Sequence, residues 1–368
     1  MDKNITVIGV GRLGLGLALL FEKGGYNVCG VDIFPDYVDC LNNKQYKSNE
    51  PDYEKLLLES KNFKATKNLY EGIDFSDLIF IVVQTPNSGG TRFYDHNILS
   101  DVLININKHK VKDKHIIIGC TIMPKYIDEV GKLLICDCIN TSLNYNPEFV
   151  AQGEIVKGFL YPDIILIGTQ NIELGNRLKN IYSSFILSTP KYCIVSPLES
   201  EIIKIGINGY ITTKLSYANM MSDLCDTLGA NKNNVLQSIG GDSRIGNKYF
   251  RPGYSFGGPC FPRDTHALKQ VMDNNNINSD LLFGTSKYNE EHIKFQAQQL
   301  LNKNLNVYIF EDICYKENSK IPIIEESAKL KMAKILADNG KRIIIKDEIQ
   351  LIREVKKEYG TLFEYHII

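Results

Sequence analysis

The chain has 368 residues, enough for two or three separately packed cores, with 43% apolar and 23% charged residues. Its formal net charge of −1 gives no basic field for nucleic acid, no apolar run reaches the roughly 18 residues of a membrane span, and the opening MDKNITVIGVG lacks the order of a signal peptide. Nine cysteines without CxxC spacing and six dispersed histidines argue against a disulfide framework and against a metal site, and a cytoplasmic location is expected.

From residue 3 to about 170, β-rich apolar runs alternate with segments of helical period: ITVIGV, then Leu15 to Lys23, YNVCGVD, LIFIVV, HIIIGC and DIILIG. That alternation predicts a parallel sheet with crossover helices. At Ser196 the pattern changes. Ser196 and Pro197 read as an N-cap and first helical residue, and Ile202, Ile205, Ile211, Leu215, Met221, Leu224 and Leu228 recur at helical spacing up to Gly229. One helix of about thirty residues is expected, long enough to link two lobes and carry a dimer contact. Helices near 263–275 and 280–303 follow, then a second α/β pattern: LNVYIF, a helix over about 324–338, KRIIIK, a helix over about 349–358, and LFEYHII. The domains expected are 1–196, 197–303 and 304–368, the last being small. The class is α/β, with an N-terminal parallel sheet, a long central helix and a smaller second α/β domain.

Gly9, Gly11 and Gly14 stand in GxGxxG spacing between the first strand and its helix. The first permits a tight turn, the second admits a pyrophosphate close to the backbone, and the third lets helix pack on strand, with the helix N-terminus facing the phosphates. Asp32 closes the second strand about 20 residues on, where a carboxylate accepts hydrogen bonds from ribose hydroxyls. Ile33, Phe34 and Pro35 offer no arginine for a 2′-phosphate, so the pattern predicts a Rossmann-type domain that takes NAD rather than NADP. Thr85-Pro86 and Cys120-Thr121 follow two more strands at their carboxyl ends, where open α/β sheets bind ligands.

In PGYSFGGPCFPRDTHAL, Cys260 follows two glycines and precedes a helix starting near Pro262, a place that favours thiolate and suits a nucleophile. Asp264 reads equally as a first-turn acid of that helix. Lys204 and Asn208 share a helix face at i and i+4 among isoleucines, and from the pattern alone Lys204 reads as a snorkelling surface lysine.

Together these segments resemble the UDP-glucose/GDP-mannose dehydrogenase family, most closely its UDP-glucose 6-dehydrogenase branch. GVGRLG looks like the family's glycine turn, QTP like its strand-end TP, CTIMP like its STVP, and NPEFVAQG like its substrate loop. ESEIIKIGINGY, GDSRIGNKYFRPG and FGGPCFPRD are similar to its lysine helix, its closing segment and its cysteine loop, so that seven elements fall in the family's order across most of residues 3 to about 300.

The resemblance implies oxidation of the C6 primary alcohol of a UDP-sugar to a carboxylate, using two NAD in turn, through a thiohemiacetal and a thioester on Cys260. It places Lys204 and Asn208 at the C6 oxyanion, Asp264 and a water near Thr121 at the alcohol proton, and Glu148 at thioester hydrolysis. Gly9, Gly11, Leu13, Gly14, Asp32, Thr85, Pro86, Thr121 and Arg263 are then expected at the cofactor. Glu148, Phe149, Gln152, Lys204, Asn208, Arg244, Tyr249, Gly253, Gly257 and Lys316 are expected at the substrate, Arg244 reaching it from the second subunit of a homodimer. Three departures stand out. Gln152 stands where the family has a glutamate or another polar residue, Pro259 precedes the cysteine, and Glu325-Glu326-Ser327 stands where the family has RES, in a C-terminal domain read as shortened, with weak hold on the nucleotide. A UDP-N-acetylhexosamine or GDP-mannose 6-dehydrogenase, a 3-hydroxyacid-type dehydrogenase and an inactive nucleotide-binding relative remain as alternatives.

Overall fold

A computed structural model describes residues 3–317, 319 and 321–368. The chain divides into two compact units, 1–204 and 205–368.

The first unit alternates strand and helix from its start: β1 (Asn4–Ile8), α1 (Arg12–Lys23), β2 (Asn27–Val31), α2 (Pro35–Asn42), α3 (Tyr53–Glu59), β3 (Phe63–Thr66), α4 (Leu69–Phe75), β4 (Leu78–Ile81), α5 (Asn97–Lys108) and β5 (His115–Ile118). A π-turn over Ile127–Gly131 runs into α6 (Lys132–Leu134), followed by β6 (Ser142–Tyr145), α7 (Ile155–Leu160), β7 (Ile164–Gly168), α8 (Ile172–Ser183) and β8 (Lys191–Val195). The eight strands lie in the order β3-β2-β1-β4-β5-β6-β7-β8. All pairs are parallel except β6 with β7, which meet antiparallel at Tyr145 and Gly168.

Period-two alternation on doubly covered strands sends successive residues to opposite helical layers. Ile5, Val7, Leu78, Phe80 and Ile117 join one core with Leu15, Leu19 and Phe21 of α1 and Tyr182 of α8. Ile8, Ile79, Ile81, Ile116 and Ile118 join the other with Leu99, Leu103 and Ile106 of α5. The order reverses between β1 and β4, a switch point that opens a crevice at the strands' carboxyl ends.

Helix α9 (Pro197–Leu228) begins as expected. Ser196 Oγ accepts from Glu199 N at 3.3 Å, and the Glu199 carboxylate accepts from Ser196 N at 2.7 Å, a reciprocal cap with proline in the first helical position. The second unit continues with α10 (Lys232–Gly240), which the sequence reading did not resolve, α11 (Phe261–Asn274) and α12 (Asp280–Asn302). It closes with β9 (Val307–Glu311), α13 (Ala328–Asp338), β10 (Arg342–Asp347), α14 (Ile349–Tyr359) and β11 (Glu364–Ile367), a parallel three-stranded sheet in the order β11-β10-β9. Ile293 and Ala297 of α12 pack with Phe310, Ile343, Ile345, Leu336 and Val355 in the core of this part. Among the described residues no helix is long and apolar enough to cross a membrane.

Candidate active site

The register aligns the carboxyl ends of four strands. Ile8 pairs with Ile81, Ile81 with Ile118, and Ile118 with Tyr145, so Gly9, Val82, Gly119 and Asn146 stand in a row just past the sheet. The segments that carry Thr85, Thr121 and Glu148 leave from this edge.

Gly9 adopts φ +87 and donates to Val31 O at 2.8 Å; a Cβ on Gly14 would overlap Gly9 O. Both positions therefore demand glycine, one for backbone sign and one for contact. At Gly11 a Cβ would meet nothing within 4 Å, so the space above the turn is open. Gly11 caps α1 without a side-chain acceptor and the first turn has no acid, which leaves its N–H groups to an anion. Two tyrosines brace the turn: Tyr37 donates to Val10 O at 2.7 Å and Tyr53 to Arg12 O. Asp32 lies one residue past β2, half-buried, and burial raises its carboxyl above the ordinary value. Ile33 and Phe34 beside it are exposed and apolar. An open glycine cradle, a helix N-terminus and a lone carboxylate fit the pyrophosphate and ribose of NAD.

Past β5, Thr121 is half-buried in a segment pinned by Glu201 of α9. Glu201 is 1% exposed and accepts from Lys125 N at 2.6 Å and from Ile127 N at 3.0 Å, while burial pushes its carboxyl up to about 7. Glu201 lies one helical turn before Lys204. Nothing local to Glu201 in the sequence signals that task.

Lys204 is not the surface lysine its pattern suggested. It is 9% exposed, its Nζ donates to Glu148 O at 2.6 Å, and it stands 4.6 Å from the centre of the Phe149 ring. A buried ammonium persists where a carbonyl and an aromatic face replace water. Glu148 contacts Tyr182 Oη at 2.6 Å, and burial raises its carboxyl to about 7. Gln152 accepts from Arg12 at 2.5 Å, and Glu50, 3% exposed, holds the next residue through Gly153 N at 2.9 Å. The first unit thus brings together Thr121, Glu148, Phe149, Gln152 and Lys204 around the edge that carries Gly9, Gly11, Leu13 and Gly14.

In the second unit, Cys260 is exposed and is itself the N-cap of α11, whose first residue, Phe261, comes one position before the start expected from sequence. Asp264, in the first turn, is 1% exposed and accepts from Asn208 Nδ2 of α9 at 2.5 Å. Arg263 is half-buried beside it. Gly257 and Gly258 are enclosed: a Cβ on Gly257 would strike Glu326 O, and Gly258, at φ +80, donates to Glu325 O at 3.0 Å. Helix α12 holds the other side of this loop. Asn289 accepts from Phe256 N and donates to Phe256 O, both at 2.9 Å. His292 Nε2 lies 3.0 Å from Gly253 O, and its Nδ1 lies 2.8 Å from Asp223 Oδ2. These clamps were missed because their residues lie more than thirty positions from the loop they hold.

Arg244 is exposed and pairs with Asp242 at 2.7 Å, Tyr249 is exposed at φ +59, and Lys316 is half-buried after Cys314-Tyr315. None of the nine cysteines is joined in a disulfide. No cluster of metal-ligating side chains occurs among the described residues.

A doubly wound sheet with this glycine turn is the architecture of a dinucleotide-binding domain. Residues 3–186 match the NAD-binding domain of the UDP-glucose/GDP-mannose dehydrogenase family and residues 198–291 match its central domain, and the chain belongs to that family. It is an NAD-dependent nucleotide-sugar dehydrogenase. It is 35% identical over 292 residues to a UDP-glucose 6-dehydrogenase of Rickettsia typhi, a match covering 78% of this chain and 67% of that relative. A UDP-glucose 6-dehydrogenase of Rickettsia bellii is 30% identical over 346 residues, covering 92% of this chain and 79% of the relative. The fold is that of a UDP-glucose dehydrogenase from Pyrobaculum islandicum, with a TM-score of 0.88 at 24% identity, covering 100% of this chain and 86% of that one.

Proposed function

We propose that the protein oxidises the C6 alcohol of a UDP-sugar, UDP-glucose first among them, to the carboxylate through covalent adducts on Cys260. The relatives named as UDP-glucose 6-dehydrogenases support this substrate. Gly9, Gly11, Leu13 and Gly14 would hold the pyrophosphate of NAD and Asp32 its ribose, with Thr85, Pro86, Thr121 and Arg263 beside the nicotinamide half. The bound cofactor supplies the hydride acceptor, once for each of two oxidations.

Asp264, oriented by Asn208, takes the C6 hydroxyl proton through a water near Thr121. The Cys260 thiolate adds to the aldehyde carbon, and the negative charge that forms on oxygen faces Lys204 and the Asn208 amide. Loss of the second hydride leaves a thioester. Glu148 takes a proton from the attacking water, the carbon–sulfur bond breaks, and Cys260 departs as thiolate. Phe149, Gln152, Tyr249, Gly253, Gly257 and Lys316 position the sugar nucleotide, with Arg244 contributed across a dimer.

The observation that supports the covalent reading most is the pairing of Asn208 with a buried Asp264 one turn inside the helix that Cys260 caps. A dimer through α9 is supported by Tyr210, Tyr217, Met220, Leu224 and Leu228, which are 40–73% exposed and spaced as one helical stripe. Incubation of the protein with NAD and a panel of UDP- and GDP-sugars should give two NADH per UDP-glucose consumed. One NADH per sugar would refute the four-electron course, and turnover confined to an N-acetylated or GDP-linked sugar would refute the substrate.

A further inference from the structure

Tyr182 of α8 is fully buried, and its hydroxyl oxygen lies 2.6 Å from Asn146 Oδ1 and 2.6 Å from Glu148 Oε1. A phenol has one hydrogen to give, and two oxygens face it. Asn146 Nδ2 donates to Leu166 O at 2.8 Å, which fixes the amide with its oxygen toward Tyr182. Turned the other way, the amide would set oxygen against the Leu166 carbonyl. The phenol can donate to either oxygen, and when it donates to Asn146 the hydrogen on the Tyr182–Glu148 contact comes from a protonated Glu148.

We propose that Asn146 and Tyr182 are positioning residues that set the proton affinity of Glu148 in opposite senses: while Glu148 is protonated, hydrogens run from Glu148 to Tyr182 and from Tyr182 to Asn146. This rests on the reading of Glu148 as the group that handles the hydrolytic proton. Ionisation of Glu148 obliges the phenol to swing its hydrogen to the carboxylate, and the buried Asn146 oxygen then loses its donor, a loss that opposes ionisation. Asn146 and Tyr182 therefore act in opposite senses, since the phenol itself can donate to the anion.

Other charged and titratable groups flank this chain. Lys204 of α9 sits on Glu148 O, and its charge favours the carboxylate. Tyr192 of β8 lies near Tyr182, with the Lys179 ammonium 5.3 Å from the Tyr192 ring centre. Burial outweighs the Tyr182 hydrogen bond and the Lys204 charge and raises the Glu148 carboxyl to about 7. A carboxyl poised there takes a proton from water and returns it within one turnover at neutral pH.

The test follows the Glu148 carboxyl carbon by NMR in protein labelled at the glutamate side-chain carboxyl, the resonance being assigned by its loss in Glu148→Gln. Asn146→Ala should move the Glu148 titration down by about one unit, a tenfold change in its proton affinity. Tyr182→Phe should move it up, and Asn146→Ala should have no effect in the Tyr182→Phe background. Simple loosening of the core would admit water and lower both, so a downward or absent shift in Tyr182→Phe overturns the proposal, even where Asn146→Ala does not fold. The pH dependence of thioester hydrolysis separates the two claims. Opposite NMR shifts without a change in the hydrolysis profile leave the hydrogen-bond chain standing and remove Glu148 from hydrolysis.

Discussion

Gly258→Ala probes how tightly the cysteine loop is held. Gly258 sits at φ +80, where a residue with a side chain costs about 1–2 kcal/mol. Its new methyl would also land on the Tyr315 ring, and overpacking of this kind costs about 1–3 kcal/mol more. The Gly258 N–H bond to Glu325 O leaves little room to shift away. A total loss of about 2–5 kcal/mol is expected in urea unfolding. Gly246 gives the comparison: its φ is +75, but a Cβ there would meet nothing within 4 Å, so Gly246→Ala should lose only the backbone share. Tyr315→Ala added to Gly258→Ala should recover the steric share when the Tyr315→Ala single variant is subtracted. Because Cys260 follows two residues later, kcat should fall with Gly258→Ala and recover in the double variant. Equal losses in Gly258→Ala and Gly246→Ala, or no recovery, would refute the steric argument.

Cys260→Ser should lower NADH production by a factor on the order of 10³ or more, measured at saturating UDP-glucose; full turnover would favour a two-electron, hydroxyacid-type reaction. The Glu148 and Glu201 carboxyls titrate at about 7 in the fold against an ordinary 4.5, so the folded chain retains two protons that the unfolded chain releases. Unfolding free energy should therefore fall as pH rises from about 4.5 to 7 and level off above, and Glu148→Gln or Glu201→Gln should each flatten that slope in pH-dependent urea melts. Tyr210→Lys with Leu224→Lys should convert a dimer to a monomer in light scattering, and a monomeric parent protein would contradict the α9 interface.

Much of this architecture was legible in the sequence because the signals that specify it are local. The strands of the first unit announce themselves as apolar runs, and Ser196, Pro197 and Glu199 carry the whole start of α9 within four residues. Helix α10 was missed because its nine residues bury only Leu236 and Gly240, too little to produce a helical period. The antiparallel contact of β6 with β7 has no local signature either, since pairing direction is set by how the chain returns. Lys204 was misjudged for a related reason. Its isoleucine neighbours are compatible with a snorkelling lysine, and only the approach of Glu148 O and the Phe149 ring makes burial of the ammonium tolerable.

The segment Glu325-Glu326-Ser327 illustrates a function that side-chain motifs conceal. Compared letter by letter with the family's RES, it loses an arginine, and the expectation was a weakened hold on ligand. Its main chain has a separate task. Glu325 O receives the Gly258 N–H, Glu326 O occupies the place a Gly257 side chain would need, and Ser327 Oγ donates to Ile313 O at 2.8 Å while capping α13. Glu326 itself is held at φ +55 and is tied to Lys331 at 2.5 Å. A backbone carbonyl is present whatever the residue, so this contact survives the exchange of arginine for glutamate. It fails only if the segment's path changes. The cysteine loop is thus suspended between α12, through Asn289 and His292, and a turn whose geometry matters more than its side chains. Substitutions that alter that path, such as Ser327→Pro, should impair Cys260 chemistry more than Glu325→Ala, measured as the rate of Cys260 alkylation by peptide mass mapping; equal effects would show that the carbonyl contact does not govern the loop.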